Sequence, residues 1–143
     1  MNSEFTIAVH SLVYLAYKPD RMATSDSIAR NVNTHPSRLR KVMSGLRKQG
    51  FVATKEGIGG GFYLIRSPES VTLAELYKAT CIGTLKPGWC SGSEEEACIV
   101  ACNMAEVMDQ LFGEAEQQLL LHLQQVTIGD VLERVKEKQK LKQ

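Results

Sequence analysis

Residues 27–52 read SIARNVNTHPSRLRKVMSGLRKQGFV. Thr24 or Ser25 can cap a short helix running through Ala29 and Val32. Asn33-Thr34-His35-Pro36 then forms a turn with a second start built in. The fixed φ of Pro36 suits the first helical position, where its missing N–H would have no intrahelical partner anyway. The helix opening at Pro36 puts Leu39, Val42, Met43 and Leu46 on one narrow apolar stripe. Its other faces carry Ser37, Arg38, Arg40, Lys41, Ser44, Arg47 and Lys48, and Gly50 ends it. A helix, a short turn and a second helix with one buried stripe and cationic exposed faces is the arrangement that lays a recognition helix in the DNA major groove.

Working outward, Phe51-Val52-Ala53-Thr54-Lys55 and Phe62-Tyr63-Leu64-Ile65-Arg66 are β-prone runs flanking Glu56-Gly57-Ile58-Gly59-Gly60-Gly61. Four glycines in five positions between two such runs predict a hairpin with a pliable tip, that is, a wing. Residues 71–79 follow as a helix capped by Thr72, with Glu75 three residues on. Upstream, residues 5–17 are apolar on nearly every side, with Ser3 or Asn2 as cap and Lys18-Pro19-Asp20 as stop, so this helix should be covered on more than one face.

Downstream, the pattern dissolves between Cys81 and Ala97 into Gly, Pro, Ser and the acidic run Glu94-Glu95-Glu96, which reads as a loop. Met104, Val107, Met108, Leu111, Phe112, Ala115, Leu119 and Leu123 then recur at spacings of three and four. A helix from about Cys102 to Gln125 would run about 36 Å, too long to bury its stripe within so small a domain. The economical expectation is that it packs against the same helix of a second chain, with residues 5–17 filling the groove, in a twofold dimer. Residues 127–135 form a last short helix before a Lys-rich, fraying end.

Length and charge bound what this layout can do. With 143 residues, 43% of them apolar and only four prolines, the chain should form one domain, or one small domain with an appended helix. The net charge of +1 is a sum of unlike blocks: +7 over residues 18–66, −9 over residues 67–133 and +4 over residues 134–143, with Glu4 supplying the remaining −1. A polyanion would meet the first block, where clustered cations release counterions from phosphates, and be repelled by the second. No run approaches the roughly 18 apolar residues that cross a bilayer, and no export leader is apparent, so the expectation is a cytoplasmic protein with no membrane partner. An enzyme is disfavoured. No nucleophile with a base, carboxylate pair or phosphate loop stands at usable spacing, and the GIGGG run precedes no helix start.

Taken together, the first helix ending LVYLA, the helix-turn-helix, the wing GIGGGFYL, the VTLAELYKA helix and a cysteine loop before a long helix resemble the Rrf-two (IscR/NsrR/CymR-like) family of bacterial transcription regulators. The resemblance spans about residues 4–132. It implies a mainly α fold with a small β-hairpin wing, a winged helix-turn-helix plus a long dimerisation helix. The expected division is 1–80 for DNA binding, 81–101 for a cysteine-bearing sensor loop and 102–143 for the dimerisation helix and tail. It implies a homodimeric repressor on double-stranded DNA with a palindromic operator. Ser37, Arg38, Arg40 and Lys41 would face the groove, and Gly59, Gly60 and Gly61 would let the wing backbone approach the sugar-phosphate edge. Where some members place an arginine ahead of the wing, this chain has Glu56, with Lys55 as a neighbour.

The four cysteines, Cys81, Cys90, Cys98 and Cys102, fall within 22 residues. The resemblance implies an iron–sulfur cluster or redox role for Cys90, Cys98 and Cys102. Their gaps of seven and three residues match cluster-binding members only in the first. Thr6 and Ala105 occupy positions where some members carry a fourth ligand, leaving Cys81 as a substitute. A cluster is thus left open rather than expected. If the long helix starts near Cys98, then Cys98 and Cys102 share a face and could hold metal or react with each other.

Cys81 at a helix end is a small apolar residue, and Glu94 to Glu96 should disfavour thiolates in the loop. His10, His35 and His122 read as structural or surface residues, Trp89 as a loop anchor, and Met104 and Met108 as core or dimer seam. The rival to a DNA-binding regulator is a protein-interaction module that keeps the fold but acts through a partner protein.

Overall fold

The computed structural model describes residues 3–143; the alternative cap Asn2 lies outside the described residues. Helix α1 (Ser3–Tyr17) is the centre of the molecule and packs against every other helix but the longest. Its apolar breadth explains this position: Ile7, Ala8, Leu12, Val13, Leu15 and Ala16 are all buried. Ser11 is fully buried too, and its hydroxyl donates to the Ile7 carbonyl at 2.7 Å, which keeps a polar side chain satisfied in the core.

Helix α2 (Ser25–Val32) is capped by Thr24, whose side chain accepts from the Ser27 N–H. Asn33 ends it in the left-handed conformation at φ 65°, a role asparagine tolerates better than most residues. Two residues later α3 (Pro36–Lys48) begins. His35 is its cap, with Nδ1 accepting from the Ser37 N–H at 3.2 Å. Leu39, Val42, Met43 and Leu46 are buried as the stripe predicts. Each contributes about 1.5–3 kcal/mol by leaving water, which fixes the rotation of α3 on the body.

The wing is antiparallel. Strand β2 (Val52–Lys55) pairs with β3 (Gly61–Leu64) in the register Val52 to Leu64 and Lys55 to Gly61. A short strand β1 (Met22–Ala23) joins the far side of β3, giving the order β1-β3-β2. Two residues are too few to leave an alternation to read, so this strand had no sequence signal.

After one turn of 3-10 helix (Pro68–Ser70) comes α4 (Leu73–Thr80), with a full capping box between Thr72 and Glu75. The long helix α5 (Ile99–Leu123) starts three residues earlier than its apolar repeat suggests. Helix α6 (Ile128–Leu141) runs well past Val135, and its Lys-rich end continues the helix. A second capping box, Thr127 with Asp130, opens α6. The two caps are stitched together, because the Leu73 N–H donates to the Val126 carbonyl at 2.8 Å and the Ile128 N–H to that of Val71 at 2.9 Å. That pairing returns the chain to α1, where Ile128 and Leu132 enter the same core as the helix-turn-helix. α5 alone projects: of its 25 residues only Leu123 is buried.

Candidate nucleic-acid interface and cysteine loop

α3 contains five cations, Arg38, Arg40, Lys41, Arg47 and Lys48, and no acid. With the buried stripe held against α1 and α2, all five are exposed. The ion pairs among the described residues lie elsewhere, at Arg66–Glu75, Lys86–Asp109 and Lys136–Glu133. Opposite the stripe stand Ser37, Lys41, Ser44 and Lys48, with Arg40 and Arg47 on one flank. Arg38 occupies the other flank and donates to the Ser3 hydroxyl on α1, so its guanidinium is turned toward its own protein. Ser37 is exposed, and its hydroxyl lies 2.8 Å from His35 Nδ1.

The wing glycines divide into two kinds. The Gly60 N–H donates to the Gly57 carbonyl at 3.0 Å, and a Cβ at Gly60 would collide with the Lys55 carbonyl. At Gly61, φ is 146° and a Cβ would collide with the Ala23 carbonyl of β1. Both positions are therefore required by the hairpin itself, through close backbone approach. Gly59, at φ 78° with open space around it, is the one of the three that faces outward. Lys55, Glu56 and Ile58 are exposed beside it.

The cysteine loop leaves α4 at Cys81, which is 3% exposed and packs with Ala74, Tyr77 and Leu123, the small-apolar role. The loop is then tied to α5 in three places. The Gly83 N–H donates to Glu116 at 2.7 Å, Lys86 pairs with Asp109 at 2.7 Å, and the Ser93 N–H donates to the Ala101 carbonyl at 2.9 Å. Gly92, at φ 74°, lies so close to that carbonyl that no side chain would fit. Trp89 is 77% exposed.

Cys98 is the exposed N-cap of α5, and Cys102 sits one turn on, half-buried. The N–H groups of Ala101 and then Val100, at the open end of the helix, hold the Cys98 thiol below its usual value against partial desolvation. The expectation that the acidic run disfavours thiolates throughout is thus not met at this position, where the N–H groups of the helix end are the leading influence. The Cys102 sulfur accepts from Asn103 Nδ2 at 3.2 Å. As a cluster site the donors do not fit. Among the described residues no three His, Cys, Asp or Glu side chains converge where they could hold a metal ion, and Cys81 is sequestered in the core.

No helix among the described residues is long and apolar enough to cross a membrane. The family profile described as Rrf2, an iron-dependent transcriptional regulator, matches residues 1–134. An NsrR transcriptional regulator of Halalkalibacterium halodurans is 31% identical over 124 residues, which cover 85% of this chain and 82% of that one. A solved transcriptional regulator from Lactobacillus plantarum superposes with a TM-score of 0.82 at 28% identity, covering 95% of this chain and 91% of its own. The fold is also that of T. potens IscR, with a TM-score of 0.73 at 21% identity over 97% of this chain and 90% of that chain. The family model, the NsrR relative and the Lactobacillus plantarum structure are all described as transcriptional regulators, not enzymes. The chain belongs to the Rrf2 family of transcriptional regulators.

Proposed function

We propose that the chain is a homodimeric repressor acting in the cytoplasm on a palindromic operator, with its DNA affinity set by the state of the cysteine loop. The observation that carries this reading is the acid-free cationic face of α3, rotated outward by its own buried stripe. Arg40 and Lys41 are the leading groove contacts, with Ser37 beside them. Lys55 and the outward-facing Gly59 bring the wing to the backbone, while Gly60 and Gly61 serve by shaping the hairpin. Arg38 joins only if it releases Ser3. Phosphate contacts supply most of the affinity, and one bidentate arginine on guanine would add about 1–3 kcal/mol of discrimination.

The division of labour is residues 1–80 for DNA, 81–101 for sensing and 102–143 for dimerisation, with the first turns of α6 also completing the core of the first part. What supports the dimer is an unfilled demand on both sides. α5 exposes Val107, Met108, Leu111 and Leu121 and carries four acids with no Lys or Arg. An apolar groove of about 820 Å³ between α1 and α6 is lined by Val9, Val13, Val131 and Val135 and edged by Lys136, Lys138 and Lys142. Crossed α5 helices would hold two α3 helices near the one-turn spacing of major-groove half-sites, about 34 Å.

The test is duplex binding across a salt series. The reduced protein should retain a selected palindromic duplex with a steep salt dependence. Arg40→Ala with Lys41→Ala removes four cations from the dimer and should flatten the log–log slope by about 3.6 while preserving the fold. Salt-insensitive binding, or no preference for the palindrome, would refute the reading.

A further inference from the structure

We propose that Cys98 and Cys102 form a dithiol switch across the first turn of α5, closed to a disulfide by a hydroperoxide, in place of a metal-cluster site. The proposal deepens the sensing role proposed for the loop and rests on that reading.

Three observations carry it. The two thiols belong to one turn, because the Cys102 N–H donates to the Cys98 carbonyl at 3.1 Å. Side chains so placed have Cβ atoms about 5–6 Å apart, against about 3.5–4.5 Å in a disulfide. Cys98 can supply the missing movement, since as N-cap it has extended geometry at φ −67° and ψ 127° and is not locked into the helix. The remaining cysteines differ: Cys81 is buried, and Cys90 lies on the exposed loop beyond the Gly92 close contact. Polar hydrogens also face both sulfurs. The α5 N-terminal amides hold the Cys98 thiol low, and the Asn103 amide donates to Cys102.

The chemistry balances with hydrogen peroxide as the hydroperoxide, the proton given up by the Cys98 thiol going to the hydroxide that leaves. The Cys98 thiolate attacks one peroxide oxygen, the O–O bond breaks, and hydroxide leaves a sulfenic acid on Cys98. The Cys102 sulfur attacks that sulfur, the S–O bond breaks as S–S forms, and the hydroxide leaves with the Cys102 proton as water. Two thiols are oxidised, and one peroxide is reduced to two waters. Drawing Cys98 toward Cys102 strains the turn whose Ala101 carbonyl holds Ser93 and abuts Gly92, so oxidation loosens the loop from α5.

The experiment treats the anaerobically purified, reduced full chain with one equivalent of hydrogen peroxide. Free thiols should fall from the four of the reduced chain to two. The intact mass should drop by about 2 Da with no cross-linked dimer on a denaturing gel. C90S should show the same mass loss. C98S and C102S should not, and serine is a good N-cap, so C98S should fold. Four surviving thiols, a disulfide that needs Cys90, a link between chains, or iron and sulfide that co-purify and are lost in C98S would overturn the switch. Duplex binding by the reduced protein is measured in parallel. Binding without a disulfide removes only the switch, whereas a disulfide in a protein that ignores DNA removes the regulator reading.

Discussion

The Tyr77 hydroxyl of α4 donates to Glu116 of α5 at 2.9 Å, and the same carboxylate oxygen accepts the Gly83 N–H at 2.7 Å. One acid on the projecting helix thereby holds both the winged-helix body and the first turn of the cysteine loop. Tyr77 is fully buried, with the Phe5 ring edge-on at 5.7 Å, so the link is a stiff one.

Burial first, then the hydrogen bond to Glu116 and its charge, push the Tyr77 phenol from its ordinary 10 up to about 12. Because the folded value is the higher one, this stabilisation is complete below pH 10 and is lost as pH rises from 10 toward 12. Urea unfolding followed against pH should show that fall, and Tyr77→Phe should flatten it. The same variant should cost about 1.5 kcal/mol at neutral pH by removing a hydrogen bond to a charged acceptor. An unchanged alkaline profile in Tyr77→Phe would assign the effect to another group.

Glu75 gives the opposite sign. Its hydrogen bond with Arg66, at 2.9 Å, is the main influence holding its carboxyl below the usual 4.5, and the Thr72 N–H and hydroxyl add to this against partial desolvation. The contribution is therefore present above pH 4.5 and disappears as pH falls through the lowered value. Both side chains are more than a third exposed, so solvent screening keeps the ion pair small, and Glu75→Gln, whose amide oxygen can still accept from the Thr72 N–H, should lose less than about 1 kcal/mol at neutral pH. Acid unfolding curves of the two proteins should converge once the pH has fallen below 4.5 and through the lowered value. Curves that stay parallel would show the carboxylate charge to be irrelevant.

The wing predicts a ranking. Gly59→Ala meets only left-handed strain, about 1–2 kcal/mol. Gly61→Ala meets strain and the Ala23 carbonyl together, so β1 must leave β3 for it to fit. Thermal melts should place Gly61→Ala well below Gly59→Ala, while duplex binding of the folded protein should suffer in Gly59→Ala as well. Equal melting temperatures would contradict the close approach of β1 and β3.

What could be read from the sequence follows from how local the physics is. The Thr24 and Thr72 caps, Pro36 at the first helical position and the glycine hairpin are each settled within a few residues, and the fold rests on them. Contacts between distant residues left no such trace. Strand β1 exists because Ala23 meets Phe62, and α6 belongs to the core because the caps at Thr72 and Thr127 pair. The site behaved the same way. The cationic face of α3 follows from its apolar stripe, but the turn of Arg38 toward Ser3 depends on where α1 begins. Only the folded hairpin separates Gly59 from its structural neighbours, and only the folded helix end brings the Ala101 and Val100 N–H groups to the Cys98 thiol.

Leu111 separates the monomer fold from assembly. It is 51% exposed near the middle of α5, beside Met108 and Val107, and nothing in the single chain covers it. Leu111→Glu should therefore leave the secondary structure and the α1-centred core unchanged, because helix propensity is nearly equal and no buried contact is lost. In a dimer seam the same substitution buries a carboxylate against apolar partners, and each chain contributes one. Sedimentation equilibrium should show the dimer constant weakened by at least about 100-fold, since two uncompensated charges cost several kcal/mol. Duplex binding should drop with it, because a lone protomer engages one half-site. A Leu111→Glu protein that still sediments as a dimer would place the interface away from the α5 stripe, and a wild-type protein that sediments as a monomer would remove it altogether.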